Sequence, residues 1–460
     1  MDMEAVLEKA GKKVDFAEAR YEKTLEKTLV MKNGNVDAVN VGEEKGISLR
    51  VLHKGGIGFA STNRSGDTAK LVEKALKMAK NNKNKIGLSK ERPYKDKWKV
   101  PQKKKIENTG IEWKTEYLKD LDKKMMDIGV GIVARVLQLQ DTVVEKKYVN
   151  SDGARITAYH PKIKFFYFLT VKGKSVEQAY KSFGYSGGYE AFDEWDLKKR
   201  CVEEVKGLDK VANQGKKAPE GKFDLLCGPE VTGIAVHESC GHPTEADRIM
   251  GRESSQAGES FIKENMIGTV VGSEYVSIAE DPTIEHSFGY YKYDEDGVKA
   301  RKKHLYKNGK INEFLHSRET AYKMGIKSNG AARASAYNRE PIPRMSNTHF
   351  EPGDYSFEEL VKDIDRGIYM KNFTEWNIDD KRYNQRYIGR ESYIIKNGEV
   401  TDPIKRPVLE ITTPGFYKAV DAAGKDLKFT AGMCGKSDPM QGLDVWMGGP
   451  TIRLRNVRFR

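Results

Sequence analysis

The chain has 460 residues, is 38% hydrophobic and 10% aromatic, and carries a formal charge of +13. That length exceeds what one core serves and predicts two or three domains, while no apolar run approaches the roughly 20 residues that span a bilayer. Four scattered cysteines, Cys201, Cys227, Cys240 and Cys434, exclude a disulfide framework and leave reduced thiols or a metal ligand.

The start, Met1-Asp2-Met3-Glu4, lacks a basic-then-apolar leader pattern, which predicts a cytoplasmic protein. Residues 1–85 read as an N-terminal α/β unit. A helix is predicted from Met3 to about Lys12. Thr28-Leu29-Val30-Met31 then leads into Asn33-Gly34, a hairpin signal, and Val36 to Val41 returns. Gly55-Gly56 marks a second hairpin, and Asp67 is placed to cap a helix with Leu71, Ala75, Leu76 and Met78 on its apolar face.

Residues 86–109 read as a basic linker. Positions 80–105 hold eleven Lys/Arg, Lys83 among them, against Glu91 and Asp96, so this segment is +9 and the rest of the chain only +4. A solvated lysine-rich loop accounts for such a run, which argues against nucleic acid as the main partner. Tyr94 and Trp98 between the lysines keep single-strand stacking open.

Residues 110–218 form a middle α+β unit. Trp113 to Met126 reads as a helix, Val133 to Gln140 as a strand, Ser151-Asp152-Gly153 as a turn, and Trp195 to Val205 as a second helix. Residues 219–460 form the C-terminal unit. Phe223 to Cys227 is a short strand, and Gly228-Pro229-Glu230 opens a helix with proline near its first position and an acid in its first turn. Asp294-Glu295-Asp296-Gly297, Asn308-Gly309, Asn397-Gly398 and Gly448-Gly449-Pro450 punctuate the remainder of the chain. The expected class is α+β, with a curved, mainly antiparallel sheet in the C-terminal unit.

The helix opened by Pro229 carries His237-Glu238-Ser239-Cys240-Gly241-His242. Two of only eight histidines fall five positions apart, with an acid beside the first. Imidazole is the commonest zinc ligand, and a neighbouring carboxylate can take a proton from activated water. An ideal helix turns about 100° per residue and would set the two rings about 140° apart, too far for one ion. Gly241 before His242 and Pro243 after it supply the remedy, because the residue preceding proline is pushed out of α geometry and the helix can end, bulge or kink there. A hydrolytic zinc site needs a third protein ligand. Cys240, Glu245, Asp247 and Cys434 all qualify, and spacing does not choose among them.

This hexapeptide, the Asp294-to-Gly297 turn, Pro343-Arg344-Met345-Ser346-Asn347-Thr348, Met433-Cys434-Gly435-Lys436, Pro439-Met440-Gln441-Gly442 and Gly448-Gly449-Pro450-Thr451 together resemble the TldD/PmbA family, in the same order. Gly46 to Asn63, with Arg50, Gly58-Phe59-Ala60 and Ser61-Thr62-Asn63, resembles its N-terminal region. The resemblance implies a cytoplasmic zinc-dependent metalloprotease that hydrolyses unfolded or extended peptides. It implies His237, His242 and Cys434 as ligands of one zinc ion per active subunit, with Glu238 as general base. It also implies a heterodimer with a metal-free TldE/PmbA-type relative, a homodimer being the other arrangement. Pro243 departs from the glycine common at that place without removing a ligand. A second donor to the oxyanion is expected, with Arg344, His286 and several tyrosines open. The competing class is a non-catalytic zinc-containing protein that binds peptides or nucleic acid.

Overall fold

The structure, a computed structural model, describes residues 2–64, 66–82, 84–252 and 258–460. Met1 of the leader reading and Lys83 of the basic stretch lie outside the described residues. The expected α+β architecture is present.

Helix α1 (Met3–Gly11) is capped by Asp2, whose carboxylate accepts from the Ala5 amide at 3.1 Å, and it buries Met3, Val6, Leu7 and Ala10 at helical spacing. Strands β1 (Phe16–Lys32) and β2 (Asn35–His53) come after it. Asn33 and Gly34 join them with φ of 49° and 83°, the left-handed pair that a two-residue hairpin of this twist requires. β3 (Gly56–Thr62) pairs with β2, and α2 (Thr68–Asn81) covers them with Leu71, Val72, Ala75, Leu76 and Ala79. Asp67 sits at the cap position of α2, but its side chain makes no capping bond.

β4 (Lys95–Lys99) comes next, then α3 (Ile111–Met126), β5 (Ile132–Asn150), β6 (Arg155–Lys172) and β7 (Val176–Ser186). β5 lies antiparallel to β1 from Glu18↔Asn150 to Lys32↔Val136. The strands of the first two predicted units therefore share one seven-stranded sheet, ordered β3-β2-β1-β5-β6-β4 with β7 also on β6. Alternation in the sequence reveals strands but not their partners, which is why the junction was invisible there.

The basic stretch differs from the loop expected. β4 pairs in parallel with the start of β6, and its lysines point to solvent in alternation with Asp96 and Trp98. Trp98 packs at 5.9 Å from His160 and 6.0 Å from Tyr290, and Tyr94 at 5.2 Å from Tyr293. Both aromatics are thus used within the protein. Helix α4 (Leu197–Gln214) and α3 cover the other part of this sheet over Phe165, Tyr167 and Phe183.

In the C-terminal unit, β8 (Gly221–Cys227) lies inside a ten-stranded sheet and leads into α5 (Pro229–Val236). A second, six-stranded sheet contains β9 (Asn347–Phe350). Strand β10 (Phe373–Ile378) forms one edge of the larger sheet. The hairpin β11 (Lys428–Lys436) and β12 (Gln441–Gly449) closes the smaller one, with β11 at its edge. α5 packs on β12 at Gly233, where a Cβ would stand 3.1 Å from backbone of Met447 and Gly448. Residues from both sheets and α5 form one large core.

The Asp294-to-Gly297 turn lies at the junction with the N-terminal sheet. The Asp296 carboxylate accepts from Arg50 at 2.5 Å and from the Arg318 amide at 2.8 Å, and its carbonyl accepts from Tyr148 at 2.9 Å. Trp446 on β12 donates to the Gly184 carbonyl on β7 at 3.0 Å. Among the described residues no helix is long and apolar enough to cross a membrane.

Candidate metal centre

α5 begins as the Gly-Pro-Glu signal predicts and stays regular to Val236. From His237 to Gly241 the backbone widens into a π turn, in which the His242 amide bonds the His237 carbonyl five residues back. A turn closed at that spacing stacks residues five apart on one face. The two rings consequently lie 5.0 Å apart, centre to centre, at 81°. The bulge expected at Gly241 is therefore real and begins one turn earlier. Gly241 is needed for packing as well: a Cβ there would stand 1.8 Å from the Met345 sulfur.

The third donor arrives from β11. The Cys434 sulfur lies 3.4 Å from His242 Nε2, and donor atoms of His237, His242 and Cys434 all fall within 4.8 Å of one another. The other three candidates are occupied elsewhere. Cys240 faces Tyr306, and burial pushes its thiol well up. Asp247 accepts from Lys436 at 2.7 Å. Glu245 stands behind His242, its Oε2 accepting from Nδ1 at 3.0 Å and from Arg248 Nε at 2.9 Å, with Lys436 Nζ 3.1 Å away. A proton on Nδ1 leaves Nε2 as the free lone pair facing the sulfur, the usual arrangement of an outer carboxylate behind a metal-binding histidine.

These residues fit zinc. Bonds of about 2.1 Å to nitrogen and about 2.3 Å to sulfur place tetrahedral donors about 3.5 Å apart, close to the separation of the sulfur from Nε2. His237 Nδ1 is buried with no hydrogen-bond partner among the described residues, a state that costs about 1–3 kcal/mol when nothing else engages it. Burial holds the His237 imidazole below its ordinary pKa, favouring the neutral, ligating form. Burial also pushes the Cys434 thiol up, but His242 and Arg344 outweigh it and bring it down to about 7. Burial raises the Glu245 carboxyl, yet Lys436 and His242 pull it well below the usual range.

Glu238 lines the same cavity, which has a volume of about 540 Å³ and is walled by α5, β10, β11 and, from the N-terminal sheet, Phe166, Tyr180, Lys181 and Ser182. Burial raises its carboxyl, but His242, Arg382, His237 and a hydrogen bond from Trp376 outweigh this and keep it below the ordinary glutamate value. Arg382 Nη1 donates to Glu238 Oε2. Sequence reasoning missed this arginine, because nothing in Asp379-Asp380-Lys381-Arg382 distinguishes it from an ordinary charged turn. It missed Glu245 in its actual role as well.

Of the oxyanion-donor candidates, Arg344 and His286 fall outside the cleft lining, whereas one tyrosine, Tyr180, lies in it. Arg344 is fully buried and donates to the carbonyls of Gln441 at 2.9 Å and Cys434 at 2.5 Å, so it fixes the hairpin that presents the thiol. His286 stacks on Tyr185 at 4.7 Å and bonds the Ser186 carbonyl at 2.9 Å, away from the cavity lining.

Two imidazoles and a thiol converging beside a carboxylate, in a cleft between two sheets, make up the donor set of a zinc-type centre. Three successive blocks match the PmbA/TldA metallopeptidase family: its domain 1 over residues 17–79, its central domain over 104–211 and its C-terminal domain over 220–460. The chain belongs to the PmbA/TldD family. A protein of Methanothermobacter thermautotrophicus named a metalloprotease is 32% identical over 449 residues, which cover 97% of this chain and 95% of that one. A Saccharolobus solfataricus protein named a zinc metalloprotease TldD homolog is 25% identical over 96% of both chains. Among solved structures, a candidate DNA gyrase modulator of Thermotoga maritima superposes with a TM-score of 0.82 at 18% identity over 99% of both chains. TldE of Thermococcus kodakarensis does so with 0.78 at 17% identity over 99% of both. These two establish the fold alone.

Proposed function

We propose that this chain is a zinc-dependent metalloprotease that hydrolyses peptide bonds in unfolded or extended polypeptides. The observation that carries the reading is the meeting of His237, His242 and Cys434 donor atoms within 4.8 Å, with Glu238 in the same cleft. The names of the curated relatives support it.

In this reading His237, His242 and Cys434 hold the metal. A zinc ion held there would supply Lewis acidity and the means to make water acidic near neutral pH. Glu238 takes the proton of the attacking water and returns it to the leaving amine. Glu245 keeps His242 in the ligating tautomer, and Arg344 holds the Cys434 backbone in place. The cleft runs beside β11 and β10, each the last strand of its sheet. An extended peptide adding to the β11 edge would be gripped by its backbone, which suits tolerance of sequence. Peptides cyclised so that they cannot extend are expected to resist cleavage.

The family and the likeness to TldE support pairing with a metal-free relative, a second copy of this chain being the other arrangement. The cytoplasm is the compartment this reading assigns. The deciding experiment measures zinc content and cleavage of an unstructured peptide for wild type and Glu238→Gln. Equal zinc with activity lowered about 10²–10⁴-fold is expected. A variant as active as wild type, or a wild type that retains no zinc, defeats the proposal.

A further inference from the structure

Arg382 is held in an unusual way. It sits in the turn between β10 and the next strand, Asn384–Gly389, with φ of 63°, a left-handed conformation that strains a residue with a side chain. The turn is built to keep it there. Its amide bonds the Asp379 carbonyl at 2.9 Å, its carbonyl accepts from Thr413 at 2.7 Å, and the Asp379 carboxylate accepts from the Tyr383 amide at 2.7 Å. The outcome is a guanidinium, nine-tenths buried, in the wall of the cleft. Nη1 anchors Glu238, whereas the buried Nε has no hydrogen-bond partner among the described residues. Lys181, another cation of this wall, is tied to Glu230 at 2.7 Å.

This inference rests on the metallopeptidase reading: we infer that Arg382 is a catalytic residue. Its Nη1 fixes Glu238 while the rest of the fork donates to the oxyanion of the tetrahedral intermediate. Water oxygen bonds the carbonyl carbon, its proton passes to Glu238, and the carbonyl π pair settles on oxygen. Arg382 stays protonated and hydrogen-bonds that oxygen. When the C–N bond breaks, Glu238 hands the proton to the amine and the oxygen re-forms its double bond. A planar guanidinium reaches two acceptors at once, which an ammonium does not.

The test compares Arg382→Gln and Arg382→Lys with wild type, all zinc-loaded, on an unstructured peptide. Loss of one oxyanion donor lowers kcat by about 10²–10³. Arg382→Gln is expected to show that loss with KM changed less than threefold, and Arg382→Lys to recover about tenfold of it. A phosphinic peptide, which mimics the tetrahedral intermediate, is expected by calorimetry to bind Arg382→Gln weaker by the factor lost in kcat/KM. Should Arg382→Gln fail to fold, Arg382→Lys carries the same two comparisons, with about a tenth of wild-type kcat or less expected. A cleaving wild type whose variant keeps kcat within threefold, loses only in KM, or binds the phosphinic peptide undiminished overturns the role of Arg382 alone. A wild type that cleaves no unstructured peptide overturns the metallopeptidase reading, and this role with it.

Discussion

Replacing Glu245 with glutamine removes one charge from behind the proposed metal centre and leaves the shape. In the wild-type structure Oε2 accepts from His242 Nδ1 at 3.0 Å and Arg248 Nε at 2.9 Å, and lies 3.1 Å from Lys436 Nζ. A neutral amide oxygen cannot serve these three donors as a carboxylate does. Two separate losses result. His242 loses the partner that turns Nε2 toward the Cys434 sulfur, and loss of such an outer ligand costs about 10–100-fold in metal affinity, or about 1.4–2.7 kcal/mol. The metal-free protein loses less than a stranded buried ion would imply, because Lys436 keeps Asp247 at 2.7 Å and the Pro343 carbonyl at 2.9 Å. That loss is about 1–3 kcal/mol. Competition with a chromophoric chelator reads the first quantity, and urea unfolding of chelated protein reads the second. Zinc affinity within twofold of wild type would refute the claim that the Nδ1 contact orients the ligand.

Gly241→Ala puts a methyl group 1.8 Å from the Met345 sulfur, in a core that holds Met345 at 1% exposure. Overpacking of this kind destabilises by about 1–3 kcal/mol, and an unchanged Tm would contradict the packing described. Stripping the metal with a chelator is expected to lower Tm and make the Cys434 thiol alkylatable. Zinc at a thousandfold its dissociation constant restores about 4 kcal/mol, and a Tm indifferent to zinc would count against a native-state site. His316, which bonds Thr320 at 3.2 Å, is pushed down to about 4 by burial. Unfolded histidine takes its proton near 6.5, so between those values only the unfolded chain is protonated there. Stability is therefore lost as pH falls from about 6.5, by up to about 1.4 kcal/mol per unit. His316→Gln should remove that slope when Tm is compared with wild type from pH 7 to 5; parallel curves would refute the assignment.

What the sequence disclosed was local chemistry. Pro229 and Glu230 announce a helix start, Asn33-Gly34 a turn, and Gly241-His242-Pro243 a departure from α geometry, because each is a constraint on a few neighbouring bonds. Cys434 as third donor came from family likeness, since 192 residues separate it from His242 and no spacing rule spans that distance. Pairing of β1 with β5 was hidden for the same reason. Trp98 left two readings open: lysines alternating with an aromatic suit both a nucleic-acid arm and an edge strand with one dry face, and the pairing of β4 with β6 is not visible in the sequence. Arg382 and Glu245 were illegible because their roles arise from what the turn and the helix exit face.

The separation of the thiol from the imidazoles sets an order of events during synthesis. Both rings leave the ribosome long before residue 434 has been made, and the hairpin bearing the sulfur must then pair with Asn347–Phe350 to complete the smaller sheet. The triad of His237, His242 and Cys434 is thus incomplete until that hairpin has been made and docked. On the proposed peptidase reading, a copy still being made is therefore inactive.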